Sequence, residues 1–183
     1  MSILKKYIPW LISVMAAFII FILIRTVLSF FEPFATPNQN IEDMKEDFSL
    51  NQKYIFMVRD FLISSEFEEI SILERHVIEH QEMFTGLETG RVPIDDAEIL
   101  EALRTLFDNG YRSMSKGDNL VAFLRWTGLD TGIGLVYSIC GRTPTVPSNT
   151  NILQFLVHIE LFIIENWYFY IEDFNVWRSR YRN

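Results

Sequence analysis

The chain has 183 residues with 24 acidic and 16 basic side chains, and its formal net charge at pH 7 is −8. All of the acidic residues lie at or after Glu32. Removing Lys5, Lys6 and Arg25 from the count leaves 13 basic residues against 24 acidic ones, a net charge of −11. Proteins bind nucleic acid and anionic lipid surfaces through clustered Lys and Arg side chains. Because this part of the chain is strongly acidic, we expect it to bind neither.

The first predicted element is a transmembrane anchor helix over residues 7–31, which follows a cytoplasmic tail over residues 1–6. The run Tyr7–Ile24 contains 18 uncharged and mostly apolar residues, which is close to the shortest helix that crosses a hydrocarbon core. A spanning segment must satisfy its backbone hydrogen bonds internally, as a helix does. The sequence therefore predicts a single-pass protein whose partner at this end is the lipid bilayer.

Residue types at the two ends of this segment suit the membrane interfaces. Amphipathic rings are favoured there, and a long cationic side chain can reach the headgroups. The anchor residues that we assign are Tyr7, Trp10, Ile24 and Arg25. Lysines precede the helix and acidic residues follow it, which favours a cytoplasmic N-terminus and a domain outside the cell. The alternatives are a cleaved signal peptide and a buried core helix; the long apolar run and the bulky residues after it favour an uncleaved anchor.

A spacer over residues 32–45 is expected to separate the anchor from an extracytoplasmic acidic domain over residues 46–183. Two prolines and several polar residues in this spacer are typical of a segment that ends a helix. The domain is about 150 residues long, an ordinary size for one core. We predict an α+β fold for it, with two helices first and an antiparallel sheet after them.

The first predicted helix of the domain covers Phe48–Ser64. Leu50, Tyr54, Val58 and Leu62 recur there at spacings of four, the pattern of one apolar helix face. A short β-like stretch follows near Ile70–Leu73.

The second predicted helix begins after Asp95 and Asp96, which are suited to cap its free N–H groups and to complement its dipole. Apolar residues then recur at helical spacing from Ile99 to Phe107, and Asn109-Gly110 is a typical helix end.

Three runs with aromatic and β-branched residues come next, separated by turn residues, and predict an antiparallel meander. These runs are Tyr111–Ser115, Leu120–Trp126 and Gly132–Cys140. Residues 141–150 contain two prolines and are predicted to form a loop. The segment Ile152–Ile164 is apolar on all sides and fits a helix or a strand, whereas Trp167–Tyr170 favours a strand.

The sharpest chemical motif is His76-Val77-Ile78-Glu79-His80. On a helix, His76 and His80 would share one face and could bind zinc, with Glu79 as the general base. This H-x-x-E-H order resembles the insulinase-type peptidases over these five residues. The resemblance implies a further acidic ligand downstream, for which Glu160 or Glu165 is the candidate. The alternative is a solvated polar helix end without metal or any other cofactor.

A cluster of aromatic residues crowds the C-terminal half and predicts a binding surface, because rings give large contact areas at low entropic cost. Its members are Trp126, Trp167, Tyr168, Tyr170 and Trp177. Strand alternation places Trp167 and Phe169 on one face, and Tyr168 and Tyr170 on the other. We expect one of these faces to be core; the other could be a binding surface, and filling of the core by both is the alternative.

Three weaker features complete the survey. The glycines at 128, 132 and 134 do not match the phosphate-loop motif, and their spacing fits a turn that enters a strand. Glu165, Glu172 and Asp173 flank an aromatic strand, as at some sugar-cleaving sites, although surface carboxylates beside a core strand are commoner. Cys140 is the single cysteine, so no internal disulfide forms; we expect it to be small, apolar and buried.

Together these features predict a non-catalytic binding module of a bacterial cell envelope, held at the cell membrane by its N-terminal helix. The expected partner is an envelope protein or a wall component. The alternative function is a small metal-dependent hydrolase centred on His76, Glu79 and His80.

Overall fold

The computed structural model describes residues 41–86, 90–127, 131–146, 152–162 and 164–181, without the side chains of residues 126 and 127. All of them belong to one unit, Asn38–Asn183. The predicted tail and anchor lie outside the described residues, together with Tyr7, Trp10, Ile24 and Arg25. Among the residues that are described, none of the helices is long and apolar enough to cross a membrane.

The described residues form four helices and eight strands. The helices are α1 (Ile41–Ser64), α2 (Glu74–His80), α3 (Ala97–Asp108) and α4 (Phe174–Tyr181). The strands are β1 (Ile70–Leu73), β2 (Glu82–Thr85), β3 (Gly90–Pro93), β4 (Ser113–Gly117), β5 (Leu120–Thr127), β6 (Thr131–Ser138), β7 (Leu156–Leu161) and β8 (Trp167–Asp173).

All eight strands pair in one antiparallel sheet, in the order β3-β2-β1-β4-β5-β6-β8-β7. The prediction of an α+β fold with an antiparallel sheet is confirmed. The predicted order, with both helices before the sheet, is wrong, because β1, β2 and β3 lie between α1 and α3. β1 confirms the β-like stretch predicted at Ile70–Leu73. The strands β2 and β3 have only four residues each and show no clear alternating pattern in the sequence.

Helix α1 confirms the first predicted helix of the domain but begins earlier, at Ile41. Residues 41–45 are therefore helical, although we expected them in the spacer. The predicted apolar face is displaced as well: Leu50 is 76 % exposed, and the face that packs on the core passes through Phe48, Ile55, Val58 and Leu62. A helix of 24 residues offers several apolar rows, and contact with the sheet selects among them.

Helix α3 begins and ends where the sequence predicts. The Asp96 carboxylate accepts hydrogen bonds from the backbone N–H groups of Glu98 (2.9 Å) and Ile99 (3.2 Å). These bonds satisfy two of the N–H groups that a helix start leaves without intrahelical partners. At the other end, Asn109 is the C-cap and Gly110 follows with a φ of 90°.

The predicted meander is confirmed by β4, β5 and β6. A tight turn joins β4 to β5 at Asp118 and Asn119, which both have positive φ (52° and 63°), the backbone that a two-residue hairpin requires. Gly132 and Gly134 lie within β6, so the expectation of a strand there is confirmed. Within Ile152–Ile164, residues 156–161 are a strand, which resolves the ambiguity left by the sequence.

The core has two parts, one on each face of the sheet. Helices α1, α2 and α3 cover the first face, where strand residues such as Phe123, Leu135 and Trp167 meet them. The second face is covered by part of the chain between β6 and β7, which contributes the fully buried Leu153. Loops as well as helices therefore shield this sheet.

Candidate functional site

The H-x-x-E-H motif forms helix α2, and its histidines share one face as predicted, with ring centroids 6.0 Å apart. The two imidazoles differ in their surroundings. The His76 ring packs edge-on against Phe84 at 4.5 Å, and its buried Nδ1 has no hydrogen-bond partner among the described residues. The Glu79 carboxylate lies 3.1 Å from the Arg75 guanidinium and 3.6 Å from His80 Nε2. Glu79 thus forms a surface ion pair with Arg75.

The predicted third metal ligand is not near this motif. Helix α2 packs on β1 and β2, whereas Glu160 lies on β7 at the far edge, six strands away from β2 or roughly 29 Å. Glu165 follows β7 and is exposed. Across the described part of the chain, no three His, Cys, Asp or Glu side chains are grouped to hold a metal ion. The proposed pairing of His76 and His80 with Glu160 or Glu165 is therefore wrong.

The predicted aromatic binding surface is mostly core. Alternation along β8 is confirmed, because Trp167 and Phe169 pack on the helix side while Tyr168 and Tyr170 pack on the opposite side. However, Trp167, Tyr168 and Tyr170 are each at least 95 % buried. The prediction that one face is open is wrong, because the chain between β6 and β7 folds back over it.

The two remaining tryptophans of that predicted surface lie elsewhere. Trp177 is on α4, where its half-buried ring packs against Phe155 at a centroid distance of 5.6 Å. Its buried Nε1 has no hydrogen-bond partner among the described residues. The backbone of Trp126 belongs to β5, but its side chain lies outside the described residues.

Cys140 is exposed, so the expectation of a buried cysteine is wrong. It lies just after β6, where the chain turns through Gly141 with a φ of 73°. Hydrogen bonds from the Arg142 backbone and the Ser138 hydroxyl lower the pKa of its thiol, because both favour the thiolate. The only cysteine of the chain is therefore accessible to solution reagents.

Glu172 and Asp173 do not form a pair of catalytic carboxylates. As neighbours near the end of β8 they point in different directions, and the Asp173 carboxylate accepts a 2.8 Å hydrogen bond from the Val176 N–H at the start of α4. Burial raises the pKa of Glu172, an effect opposed by its 3.2 Å hydrogen bond from the Phe155 N–H. Burial and the Glu172 charge in turn raise the pKa of Tyr170.

A buried polar network that the sequence analysis missed joins α1 to the sheet. Its centre is Asp47, which is 7 % exposed. The carboxylate accepts a 2.8 Å hydrogen bond from the Tyr111 hydroxyl and a 3.2 Å bond from the Asn51 amide, and Arg125 Nη2 lies 3.2 Å from it. The Asn109 amide then donates to Asn51 Oδ1 at 3.0 Å. Every oxygen of this buried carboxylate therefore has a donor.

The backbone geometry explains how Arg125 reaches Asp47. The pairing of β5 with β6 shifts between Leu124 and Trp126, so β5 has an extra residue there, a β-bulge. Bulges bend a strand and redirect a side chain. On the adjoining stretch of β6, Gly134 lies opposite Leu124, where an added Cβ would lie 2.2 Å from the Phe123 carbonyl oxygen and 2.8 Å from the Tyr170 ring.

An open pocket of ≈ 270 Å³ lies beside this network. The start of α1 lines it with Asp43, Glu46, Asp47 and Leu50, and β5 lines it with Arg125. Asp43, Glu46 and Leu50 are exposed and recur at helical spacing, so they form one outward-facing row. The pocket thus combines two accessible carboxylates, an apolar side chain and a guanidinium that already faces Asp47.

Two signals in the sequence could have revealed this site. Asp47 and Asn51 are polar residues in the row that continues the buried face of α1 towards its N-terminus. Arg125 is the only charged residue in the apolar run Leu120–Trp126. Neither signal shows that these residues meet, because they are separated by more than 70 positions along the chain.

No protein-family model, curated protein or solved structure matches the chain. The functional assignment therefore rests on the geometry described above.

We expect Arg125→Met to lower the free energy of unfolding by about 3–5 kcal/mol, because it leaves the buried Asp47 carboxylate without its counter-ion. Adding Asp47→Asn should recover part of this loss, since a neutral amide costs less to bury than an unpaired carboxylate and still accepts from Tyr111. Urea unfolding followed by tryptophan fluorescence measures both effects. Lys45→Met, which breaks an exposed ion pair with Glu42, is the control and should cost below about 1 kcal/mol. Additive losses in the double variant would contradict the pairing.

The raised pKa of Glu172 predicts a pH-dependent stability. Folding favours the neutral acid, so its stabilising contribution is complete below the pKa of the unfolded chain, about 4.3, and is lost as the pH rises through the higher folded pKa. Glu172→Gln keeps a neutral side chain and an acceptor for Phe155. We expect it to raise Tm at pH 7 and to leave Tm near pH 4 unchanged, as thermal unfolding followed by circular dichroism would show. The exposed Glu165→Gln is the control, and an equal response in both variants would refute the assignment.

Proposed function

We propose that this chain is a membrane-anchored binding module of a bacterial cell envelope and not an enzyme. The N-terminal run of 18 uncharged residues supports a single-pass anchor. The lysines before it and the acidic residues after it support a cytoplasmic N-terminus with the domain outside the cell. The lipid bilayer is then one partner, and the domain provides the surface for a second.

The observation that carries a binding function is the open pocket at the start of α1. Leu50 is 76 % exposed there, more than any of the other large apolar side chains that stand exposed on the described surface. An isolated exposed leucine is ordinary, but this one lies in a concave site between carboxylates. The buried bonds of Asp47 hold the adjacent turn of α1 on the sheet, so the pocket has a rigid floor.

The chemistry of the pocket favours a basic group as its ligand. Asp43 and Glu46 place two accessible negative charges at the rim, while the positive charge of Arg125 is largely offset by Asp47 at 3.2 Å. A lysine or arginine side chain could lay its apolar stem on Leu50 and direct its charged end to the rim. The net charge of −11 from Glu32 onward would also attract such a partner over a longer range. An envelope protein or a wall component that presents amino groups meets these requirements.

The anchor and its orientation predict where Cys140 can be labelled. Because Cys140 is the only cysteine and is exposed, a membrane-impermeant maleimide should modify it in intact bacterial spheroplasts that express the full chain. The chain should also stay with the membrane after an alkaline carbonate wash. Cys140→Ser is the control for specificity. Labelling that occurs only after lysis would place the domain in the cytoplasm and refute the proposed topology.

The pocket predicts selective binding of a basic peptide. We expect the full chain, reconstituted in vesicles of neutral phosphatidylcholine, to bind decalysine with an affinity that falls as salt is added. Glu46→Lys should weaken this binding about tenfold, because it replaces a rim carboxylate with a like charge. Fluorescence anisotropy of a labelled peptide measures the affinity, and decaglutamate serves as the negative ligand.

A matched charge reversal separates the pocket from the overall charge of the domain. Glu101→Lys changes an exposed carboxylate on α3, which does not line the pocket. We expect it to weaken decalysine binding far less than Glu46→Lys does. Equal losses would show that only the net charge is recognised and would contradict the proposed site.

A further inference from the structure

Strand β7 ends the sheet, and no strand in the described part of the chain pairs with its outer side. An edge strand presents unpaired N–H and C=O groups that can template pairing with another chain. The opposite edge, β3, has only four residues and ends in Pro93, which lacks an N–H. β7 has six residues without proline; a bulge at Val157 leaves His158–Leu161 as its regular part, and Leu161 at its end is 65 % exposed. Of the two edges, β7 is the better template.

The hydrogen bonds to β8 show which groups of β7 point outward. The Phe162 N–H donates to the Trp167 carbonyl at 2.8 Å, and the register continues with Glu160 opposite Phe169 and His158 opposite Ile171. In an antiparallel pair, alternate residues direct both backbone groups to the same neighbour. Because Phe162, Glu160 and His158 face β8, the backbone groups of the residues between them, Ile159 and Leu161, point away from the sheet.

We propose that β7 pairs antiparallel with β7 of a second copy of this chain, about a two-fold axis at Ile159. A two-fold interface brings each residue against a residue equally far on the other side of the axis. Ile159 then faces Ile159 of the partner subunit, and His158 faces Glu160 of the partner subunit. The Ile159 pair can form two backbone hydrogen bonds in this register, which is regular from His158 to Leu161 and ends at the bulge of Val157.

The side chains on both faces of β7 are complementary in this register. His158 and Glu160 lie on one face, 3.3 Å apart at Nε2 and Oε2 within the chain. Across the axis, His158 and Glu160 of the partner subunit lie opposite each other without backbone hydrogen bonds between them, and side chains are closest in such pairs. Each imidazole therefore meets a second carboxylate. On the other face, Ile159 would lie against Ile159 of the partner subunit, and the exposed Leu161 would be its diagonal apolar neighbour across the axis.

The side-chain pattern is the reason to assign a second copy and not another protein. Self-pairing about Ile159 sets each His158 imidazole against a Glu160 carboxylate, which can accept a hydrogen bond from an imidazole N–H. Two carboxylates at these positions would repel across the axis at two symmetric points. The sequence His-Ile-Glu is therefore self-complementary in both hydrogen bonding and hydrophobicity.

The test uses the full chain in detergent and measures its mass by sedimentation equilibrium up to about 100 µM, a range in which weak dimers form. The wild-type chain should dimerise. His158→Glu and Glu160→Lys, each alone, should weaken association about tenfold or more, because the first places two carboxylates opposite one another and the second removes the acceptor of the His158 imidazole. An equimolar mixture of the two variants should restore the dimer, since the introduced glutamate of one chain would then face the introduced lysine of the other. Restoration cannot come from a merely structural effect of either change.

Two apolar-to-lysine variants locate the interface. Leu161→Lys should weaken dimerisation, whereas Ile78→Lys, at a comparably exposed apolar residue on α2, should leave it unchanged. The proposal is overturned if the wild-type chain is monomeric, if either charge variant dimerises like the wild type, or if the mixture stays monomeric. Decalysine binding by the dimer-deficient variants distinguishes this outcome from failure of the pocket, because the two sites are separate.

Discussion

The buried carboxylate of Asp47 is the constraint on which the arrangement of helices and sheet depends. A buried carboxylate needs hydrogen-bond donors in place of water, and removing them lowers the free energy of unfolding by several kcal/mol. The donors come from α1 itself, from Tyr111 between α3 and β4, and from Arg125 on β5. The network therefore holds three separate parts of the chain in one relative position. Burial and the Asp47 charge also raise the pKa of Tyr111, which keeps its hydroxyl a donor to Asp47.

The two-sided core decides which surfaces remain for function. Helices cover one face of the sheet and part of the chain between β6 and β7 covers the other, so the large rings of β8 are buried in the core. Their burial stabilises the domain through apolar area and ring contacts, such as Phe48 with Trp167 at 5.3 Å. Among the described residues, the outer row of α1 and the rim of the sheet remain open to partners. The pocket and the β7 edge are found in these two places.

The two edges of the sheet illustrate how the same backbone chemistry can be blocked or left open. At β3, short length and Pro93 limit the number of free donors, whereas β7 offers a longer run in which apolar residues flank His158 and Glu160. If the domain is anchored in a membrane, diffusion in two dimensions raises the encounter rate of such edges. A partner at the α1 pocket would then meet two copies of its site, and linked sites bind more tightly than single ones.

The sequence by itself determined the elements whose signals are local. Asp96 caps α3, turn residues divide the meander, and alternation assigned Trp167 and Tyr168 to opposite faces of β8, because capping, turns and pleating depend on neighbours along the chain. Only the tertiary structure decided that both faces are covered, that Leu50 is exposed, and that Arg125 meets Asp47. The tertiary structure also decided that His76 and Glu160 lie far apart, because the strand order separates them. Periodicity shows which residues share a face, but what covers that face depends on distant segments, whose positions are set by the packing of the whole domain.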